Sequence, residues 1–455
     1  MAKEKIVRDY TQGNVLKQLC IFMFPFMGAN ALQVVYSVVD MIIVGQFVGP
    51  AGLSAVSQGS MITNFAMMLT AGFANAGQIL IAQLLGARKK DSINKLIGTI
   101  FTTIFIVAIV LTAIVVPLAS VFTDLIQVPE EAVEGAIQYI VILGAGLVFT
   151  CGYNAVSAIL RGMGDSRHPF IFIAVASVFN LVFDLVFTGW LGWGVIGAAL
   201  ATILGQALSF ILALRVLYKN RDEFGFDFKL SSFKIDKVCF TSMFKLGIPF
   251  ALQGAAINIS MLFVNGFINK LGVIASATFG TGCKIDDIYN RISMGIQFAG
   301  GPMVAQNMGA GKHDRVKKVV WWTFILSLCC AVIFMACLLL FGRQMFGLFT
   351  TDPAVLDLSK TFILGILVSF PGLSMMRIGS TITQGTGNSV LIMLFCFIDA
   401  ALRVVLGYLF GVVLNWGFFG FVLGYGLAPF GVGIPGLIYF LSNRWKKRTL
   451  LIDKD

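Results

Sequence analysis

The feature that most constrains this chain is the recurrence of long apolar stretches over its whole length. An α-helix needs about 20 predominantly apolar residues to cross a bilayer, and stretches of this kind alternate with short polar segments. Charged residues make up 12% of the chain, whereas a soluble globular protein carries about 25%. We therefore predict an all-α polytopic membrane protein with twelve transmembrane helices, at 15–44, 52–80, 95–121, 134–157, 169–188, 194–217, 238–268, 273–302, 317–342, 357–380, 389–413 and 419–441.

The distribution of Lys and Arg predicts how these helices are oriented. The net charge is +11, and most of the 33 basic residues lie at the two termini and in the loops after even-numbered spans. The loop at 123–135, after the third span, is acidic instead. This positive-inside pattern predicts a multi-pass protein of the plasma membrane with both termini in the cytoplasm and an uncleaved first span. It also argues against a nucleic-acid partner.

The chain repeats itself at an offset of 223 or 224 residues, which predicts two homologous halves. An even number of spans in each half gives both halves the same orientation, so we expect a pseudo-two-fold axis along the membrane normal. The predicted domains are a six-helix N-terminal lobe at 1–217, a cytoplasmic linker at 218–237 and a six-helix C-terminal lobe at 238–455. The matching segments are IAQLLGARK (81–89) with VAQNMGAGK (304–312), RGMGDS (161–166) with QGTGNS (384–389), and FPF (24–26) with IPF (248–250).

In the second half, acidic residues inside the predicted spans have bases nearby. Asp399 precedes Arg403 by four residues, a spacing that favours an ion pair on one helix. Asp286 instead belongs to a polar stripe that could line a cleft. The bases that we expect within spans of this half are Lys284 and Arg291, which share a face with Asp287, and Arg403. The stripe consists of Asp286, Asn290, Ser293 and Gln297.

In the first half, two acidic residues inside predicted spans have no basic residue near them in the sequence. Asp40 lies in a segment without Lys, Arg or His, and so does Asp184, which sits in the apolar stretch FNLVFDLVF (179–187). A charged residue at the centre of a spanning helix costs roughly 2.5–3.5 kcal/mol on insertion scales. Polar stripes on the same predicted helices, ending at Asp40 and including Asn180, suggest one shared polar pocket.

Such a pair suits a cation-coupling device. A carboxyl group without a fixed basic partner in a low-dielectric site has its neutral form favoured, so it can take up and release a proton. Alternatively, two acids with Asn and Thr oxygens could hold a sodium ion. The simpler alternative is a permanently protonated Asp that only hydrogen-bonds a neighbour.

Over nearly its full length the sequence resembles multidrug and toxic compound extrusion (MATE) transporters of the multidrug/oligosaccharidyl-lipid/polysaccharide exporter superfamily. The matching stretches are YSVVDMIIVGQFVG (36–49), the AQxxGA signatures after spans 2 and 8, RGMGDSRHP (161–169) and NLVFDLVFTGWLGWGVIGAALAT (180–202). The resemblance implies two six-helix lobes in a V shape. It also implies secondary active export of amphipathic, often cationic compounds by proton or sodium antiport.

Individual residues match positions that carry this function in the family. The resemblance implies a coupling site, with a possible sodium ion, at Asp40, Asn180, Asp184 and Thr202. It implies substrate-facing positions at Gln33, Tyr36, Met61 and Asn154, to which the polar stripe adds Asp286 and Gln297. We expect Pro25 to kink the first span. One branch of the family has coupling acids in spans 7 and 10, but 245–265 and 360–380 contain none here.

Three other functions remain open at this point. A lipid-linked glycan flippase of the same superfamily would need several unpaired bases in its cleft to neutralise pyrophosphate. An intramembrane enzyme has no supporting motif, and a channel would not need one asymmetric acid pair. We therefore expect a transporter rather than an enzyme. It should need no cofactor beyond its coupling ion (H⁺ or Na⁺), act as a monomer, and have drug-like organic molecules and the lipid bilayer as its partners.

Overall fold

The computed structural model describes residues 6–448 and residue 452. Within that part of the chain the backbone forms helices and connecting turns, without a strand. The first half contains helices α1 Val15–Phe47, α2 Gly49–Gly86, α3 Lys90–Val115, α4 Ala119–Leu125, α5 Glu130–Ala145, α6 Leu147–Gly162, α7 Arg167–Asp184, α8 Gly194–Lys219 and α9 Arg221–Phe224. The second half contains α10 Lys237–Asn269, α11 Val273–Gly309, α12 His313–Gly347, α13 Pro353–Ile366, α14 Ser369–Gly385, α15 Ser389–Tyr408, α16 Gly417–Leu427 and α17 Phe430–Leu441.

These helices confirm the all-α multi-pass membrane class. Ten helical segments in the described chain are long and apolar enough to span a bilayer, and α5 with α6 forms an eleventh that bends by 48°. The remaining predicted span, 273–302, is helical as α11 but falls short in apolar character. Its first part carries several charges, and the remainder is rich in Gly, Gln and Asn.

Short irregular segments recur at corresponding places in the two halves. A π-helical turn, Leu185–Trp190, follows α7, and a second one, Leu409–Val413, follows α15. In the first turn the N–H of Leu191 donates to the carbonyl of Val186, five residues back. Such turns are frequent at functional sites. Because a corresponding turn also occurs in the half without the acid pair, the π-helical turn belongs to the duplicated fold and does not by itself mark a site.

Two compact units make up the molecule, and two of the three boundaries between them fall inside the long helices α1 and α10. The first unit contains 1–9 and 28–251, and the second contains 10–27 and 252–455. The division therefore differs from the predicted lobes, 1–217 and 238–455, in the first parts of α1 and α10. These two boundaries lie shortly after Pro25 and Pro249, which interrupt the backbone hydrogen bonding of these helices.

The second unit includes the segment just before α1, which Gln306 of the repeated AQxxGA signature and the nearby Arg315 hold by hydrogen bonds. The side-chain oxygen of Gln306 accepts a hydrogen bond from the backbone N–H of Tyr10 at 2.5 Å. The guanidinium of Arg315 donates to the carbonyls of Tyr10 and Gly13 at 2.9 and 2.8 Å. These bonds explain in physical terms why polar residues follow the eighth predicted span, since they attach the segment before α1 to the second unit.

The segment predicted as an inter-lobe linker, 218–237, is folded against the first unit. The hydroxyl of Thr102 on α3 donates to the carbonyl of Phe233 at 2.5 Å, and the N–H of Asp236 donates to Thr99 Oγ1 at 3.1 Å. A Cβ at Gly98 would lie 1.7 Å from the carbonyl oxygen of Ser232. Only glycine at that position lets the segment approach α3 so closely.

Candidate functional site

The two acidic residues singled out from the first half meet inside the first unit. Asp184 is the last residue of α7 and its side chain is fully buried, while Asp40 on α1 is 9% exposed. Their carboxyl groups are in hydrogen-bonding contact. Two ionised carboxylates repel each other and offer no hydrogen between them, so a contact of this kind is favourable only when a shared proton or a bound cation lies between the two groups.

Asn180 and Thr202 complete the predicted cluster of four. Asn180 lies one helical turn before Asp184, and its amide nitrogen donates to Asp184 Oδ2 at 2.9 Å when the amide is oriented by its partners. Its amide oxygen then accepts from the backbone N–H of Thr202 at 3.1 Å. The Thr202 hydroxyl donates to the carbonyl of Ala198 on its own helix, α8. The structure therefore brings α1, α7 and α8 together at these side chains.

Tyrosine hydroxyls form the other side of the cluster. Tyr36, one turn before Asp40 on α1, interacts with the side chain of Thr202. Tyr139 on α5 is 3% exposed, lies in the electrostatic field of both acids and interacts with Thr202. Ser60 donates to the Tyr139 hydroxyl at 3.2 Å. The sequence did not point to Tyr139 or Ser60, because one Tyr in an apolar span most often packs in the core without a further role.

No basic side chain pairs with either acid among the residues that the structure describes. The groups that act on Asp40 and Asp184 are the two carboxyls themselves, the hydrophobic surroundings and neutral hydrogen-bonding partners. One oxygen of each acid, Oδ1, is buried without a hydrogen-bond partner. A buried polar atom without a partner is costly, and a proton or a metal cation bound between these oxygens would remove that cost.

The chemistry of the available donors restricts what could bind there. Carboxyl, hydroxyl and amide oxygens are ligands for hard cations. Within the described chain, no group of three or more His, Cys, Asp or Glu residues is placed to hold a metal ion. The oxygen set at Asp40, Asn180, Asp184 and Thr202 therefore fits a proton or a weakly held sodium ion better than a tightly bound transition metal.

The predicted substrate-facing residues of the first unit differ in their surroundings. Gln33 is exposed and lies one turn before Tyr36 on α1. Met61 on α2 is 61% exposed, and Asn154 on α6 is half-buried. Tyr36 is the only one of these four for which the structure gives a contact with the acid cluster.

In the second unit, Asp286 is part of a buried hydrogen-bond network. Its Oδ2 accepts from the hydroxyl of Tyr425 and from Asn290 Nδ2, both at 3.0 Å. Asp286 is 2% exposed, but its Oδ1 has no partner. A neighbouring pair, Asp399 with Arg403, is joined at 3.1 Å, with both side chains almost completely buried. The ion pair that the i,i+4 spacing of Asp399 and Arg403 favours is therefore present.

Gln297 is held by a base that was not among those expected within spans. Arg377 on α14 donates to Gln297 Oε1 at 2.6 Å and to Ser293 Oγ at 2.8 Å. Arg377 lies inside the span predicted at 357–380. The expectation that the bases within spans of this half are Lys284, Arg291 and Arg403 is therefore wrong. With Arg377 included, the buried network of the second unit has two acids, Asp286 and Asp399, and two bases, Arg377 and Arg403. The first unit's acid pair has no such compensation.

Comparisons with known proteins agree with the duplicated architecture. The MatE family model matches residues 25–186 and again 249–409. The chain is similar to the probable multidrug resistance protein YpnP of Bacillus subtilis, at 29% identity over 98% of this chain and 99% of that protein. It is also similar to the probable multidrug resistance protein NorM of Thermotoga maritima, at 26% identity over 96% of this chain and 94% of that protein.

Solved structures share the fold. A MOP superfamily transporter from Pyrococcus furiosus superimposes with a TM-score of 0.90 at 22% identity, over 99% of this chain and 100% of that chain. A MATE structure in the bent conformation superimposes with a TM-score of 0.88 at 22% identity, over 97% and 98% of the two chains. The two segments matched by the family model take up most of the sequence, and the chain belongs to the MatE family of MATE transporters.

Proposed function

We propose that this protein exports amphipathic, often cationic organic compounds and couples that export to the entry of H⁺ or Na⁺. The observation that carries the proposal is the contact between the Asp40 and Asp184 carboxyl groups, without a base beside either of them. A buried acid pair has no evident structural use, because it costs free energy that a neutral pair would not cost. The names of similar proteins, a probable multidrug resistance protein in two cases, support organic compounds as the cargo.

The coupling follows from competition between two states of the acid pair. When a cation neutralises the pair, the repulsion between the carboxyls is relieved and α1 can pack differently against α7 and α8. Since Tyr36 lies on α1 and touches Thr202, a change at the acids reaches a predicted substrate-facing residue directly. The coupling is reciprocal, so a substrate that favours the ionised pair must weaken cation binding by the same factor. Alternating access would convert this linkage into antiport.

The substrate positions of the first unit suit flat or bulky cations. Met61 offers a soft, polarisable side chain, and Gln33 with Asn154 offers neutral polar groups. Such surfaces bind by shape-tolerant contacts rather than by a fixed set of hydrogen bonds. In the second unit, Asp286 and Gln297 are engaged in internal hydrogen bonds, which would have to open before either residue could contact a substrate.

A lipid-linked glycan flippase is the less favourable candidate. Such a protein needs bases that are available to a pyrophosphate. Arg403 is paired with Asp399 and Arg291 with Asp287, while Arg377 is hydrogen-bonded to Ser293 and Gln297. These partners would have to be displaced before a phosphate could bind.

The experiment that tests the proposal is efflux of a fluorescent organic cation from vesicles that contain the purified protein. Proton and sodium gradients are imposed separately and then removed. We expect efflux against the substrate gradient when one of the two ion gradients is imposed. When neither gradient is present, we expect no such efflux. Equal flux with and without an imposed gradient would indicate a channel and would contradict the proposal.

A further inference from the structure

A cavity of about 520 Å³ lies in the first unit, away from the acid pair. It is formed by α3, the end of α8 and the folded segment 218–237. Its lining is aromatic and aliphatic with a single charged residue, Arg215. Arg215 follows Thr202 by 13 residues on α8, which corresponds to about 20 Å along the helix axis. The lining residues are Phe101, Phe210, Ile211, Leu214, Arg215, Tyr218, Phe228 and Phe233.

The walls of this cavity are packed together by ring contacts and hydrogen bonds. Phe101 of α3 contacts the ring of Phe233 at 5.9 Å between centroids, and Tyr218 of α8 contacts Phe228 at 5.2 Å. Phe226, which is 1% exposed, lies between them and contacts Phe228 and Phe233. The bond from Thr102 to Phe233 fixes the backbone of the same segment. The cavity is therefore a formed feature of the fold and not a gap beside a loose linker.

Arg215 is the one charged residue in the lining of the cavity. Its side chain is exposed, and among the described residues it makes neither a hydrogen bond nor an ion pair. It lies near the end of a membrane-spanning helix, where a long basic side chain reaches the headgroup level of the bilayer. An arginine at this level with an apolar cavity beneath it presents a positive charge next to a space that excludes polar molecules.

We propose that this cavity binds an anionic phospholipid from the adjacent leaflet, with one acyl chain in the cavity and the phosphate on Arg215. A free anion would make no favourable contact with the apolar walls, and an organic cation would be repelled by the guanidinium. A lipid with an apolar chain and an anionic headgroup satisfies both parts. Guanidinium groups bind phosphate by paired, charge-assisted hydrogen bonds.

The lipid would bind the segment that joins the two sequence halves. Phe228 and Phe233 belong to 218–237 and line the cavity, so an occupied cavity would hold this segment more firmly against α3. The inference concerns a site separate from Asp40 and Asp184 and does not depend on the transport proposal.

The test measures lipid binding to the delipidated full chain in an uncharged detergent by native mass spectrometry. Phosphatidylglycerol is compared with phosphatidylcholine of the same acyl chains, and inorganic phosphate is added as a competitor. The variants are Arg215→Gln, which removes the charge, and Ile211→Trp, which fills the cavity from an exposed position (59% exposed). Lys219→Gln is the matched control, since it removes an exposed charge one turn further along α8 and lies outside the lining.

We expect one phosphatidylglycerol to bind the unaltered chain more tightly than phosphatidylcholine does. Arg215→Gln should weaken phosphatidylglycerol binding roughly tenfold, the usual loss for a charge-assisted contact. It should weaken phosphatidylcholine binding less, because the choline cation of that lipid already offsets the charge of its phosphate. Ile211→Trp should weaken the binding of both lipids, while Lys219→Gln should change either by no more than about twofold. Equal losses for Arg215→Gln and Lys219→Gln would overturn the proposal. So would unchanged binding to Ile211→Trp, or displacement of the lipid by phosphate alone.

Discussion

The buried acidic residues of this protein are of two kinds. Asp40 and Asp184 contact each other without a base, whereas Asp399 is joined to Arg403. A carboxyl pair can change its charge by taking up a single cation, but an ion pair is neutral already and gains nothing from one. This difference, rather than burial alone, is the reason why we propose the coupling role for the first unit.

Tyr139 offers a test of how far the coupling cluster extends. Tyr139→Phe removes a hydroxyl that accepts from Ser60 and interacts with Thr202. The loss of one such hydrogen bond is worth about 0.5–1.5 kcal/mol, so we expect cation-driven efflux to fall severalfold at a limiting gradient. The measurement is the dependence of efflux on the size of the imposed gradient.

The matched control for this change is Tyr153→Phe. Tyr153 is also buried in the first unit, but its hydroxyl donates to the carbonyl of Pro169. Efflux by this variant should depend on the gradient as efflux by the unaltered chain does. If both variants lose transport equally, Tyr139 supports the fold and is not part of the coupling cluster.

The Asp399–Arg403 pair should matter for stability rather than for coupling. Asp399→Asn leaves the buried Arg403 guanidinium without its counter-charge, and breaking a buried pair on one side costs about 3–5 kcal/mol. We expect a clear drop in the thermal unfolding temperature in detergent, with normal gradient dependence per folded molecule. Adding Arg403→Gln should restore part of the lost stability, because neither charge is then unpaired. A double variant less stable than Asp399→Asn would contradict this assignment.

At the scale of the helices, sequence patterns give the spans but not how they are interrupted. Hydrophobic length locates α2, α3 and α8 well, because crossing a bilayer demands it. It misses the 48° bend between α5 and α6, since both pieces are equally apolar. It also misses the assignment of residues 10–27 to the second unit, which depends on contacts such as those of Arg315 with distant backbone carbonyls.

The candidate site was predictable to the same extent. The sequence allows one to single out Asp40, Asn180, Asp184 and Thr202, because polar residues in apolar helices are rare and therefore conspicuous. Tyr139 was not, since its hydroxyl matters only through neighbours on α2 and α8 that no spacing within α5 reveals. The segment 218–237 looked like a linker because its charges face outward, while its phenylalanines pack inward against α3.

The start of α10 allows a pH-dependent prediction outside the membrane-spanning helices. Asp236 caps this helix, its Oδ1 accepting from the N–H groups of Cys239 and Val238 at 2.9 and 3.1 Å. The hydrogen bond from Cys239 is the main reason why the pKa of Asp236 lies below its ordinary value. A lowered folded pKa means that the cap stabilises the folded state above the ordinary pKa and loses that effect as the pH falls through the folded value.

We therefore expect Asp236→Ala to lower the unfolding temperature at pH 7, where the carboxylate is ionised. The cost of losing an N-cap is about 0.5–2 kcal/mol. The difference between the variant and the unaltered chain should shrink as the pH is lowered below about 4. A difference that stays constant down to pH 3 would show that the charge of Asp236 does not contribute.

The two halves of the molecule share one fold but differ in their buried charges. The family model matches both halves, yet Asn180 and Asp184 correspond to Arg403 and Gly407 at an offset of 223. One unit has retained an acid pair that can change its charge, and the other has a balanced network. We propose that this asymmetry reflects a single coupling site, located in the first unit.

The membrane orientation is a second property of the whole molecule. The positive-inside distribution predicts both termini in the cytoplasm. A reporter enzyme that is active only outside the cytoplasm should give no signal when fused to the C-terminus. The same reporter inserted in the acidic loop at 123–135 should be active. The reverse result at both positions would overturn the predicted orientation.

The central claim is that Asp184 and Asp40 bind the coupling cation as a pair. The most direct measurement is gradient-driven efflux per folded molecule for Asp184→Asn and Asp40→Asn, with Asp399→Asn as the comparison. Asn keeps the shape of the side chain but cannot titrate, so we expect each of the first two variants to insert, fold and lose gradient-driven export. Asp399→Asn should pump in proportion to the protein that remains folded. Normal pumping by both Asp184→Asn and Asp40→Asn would contradict the claim.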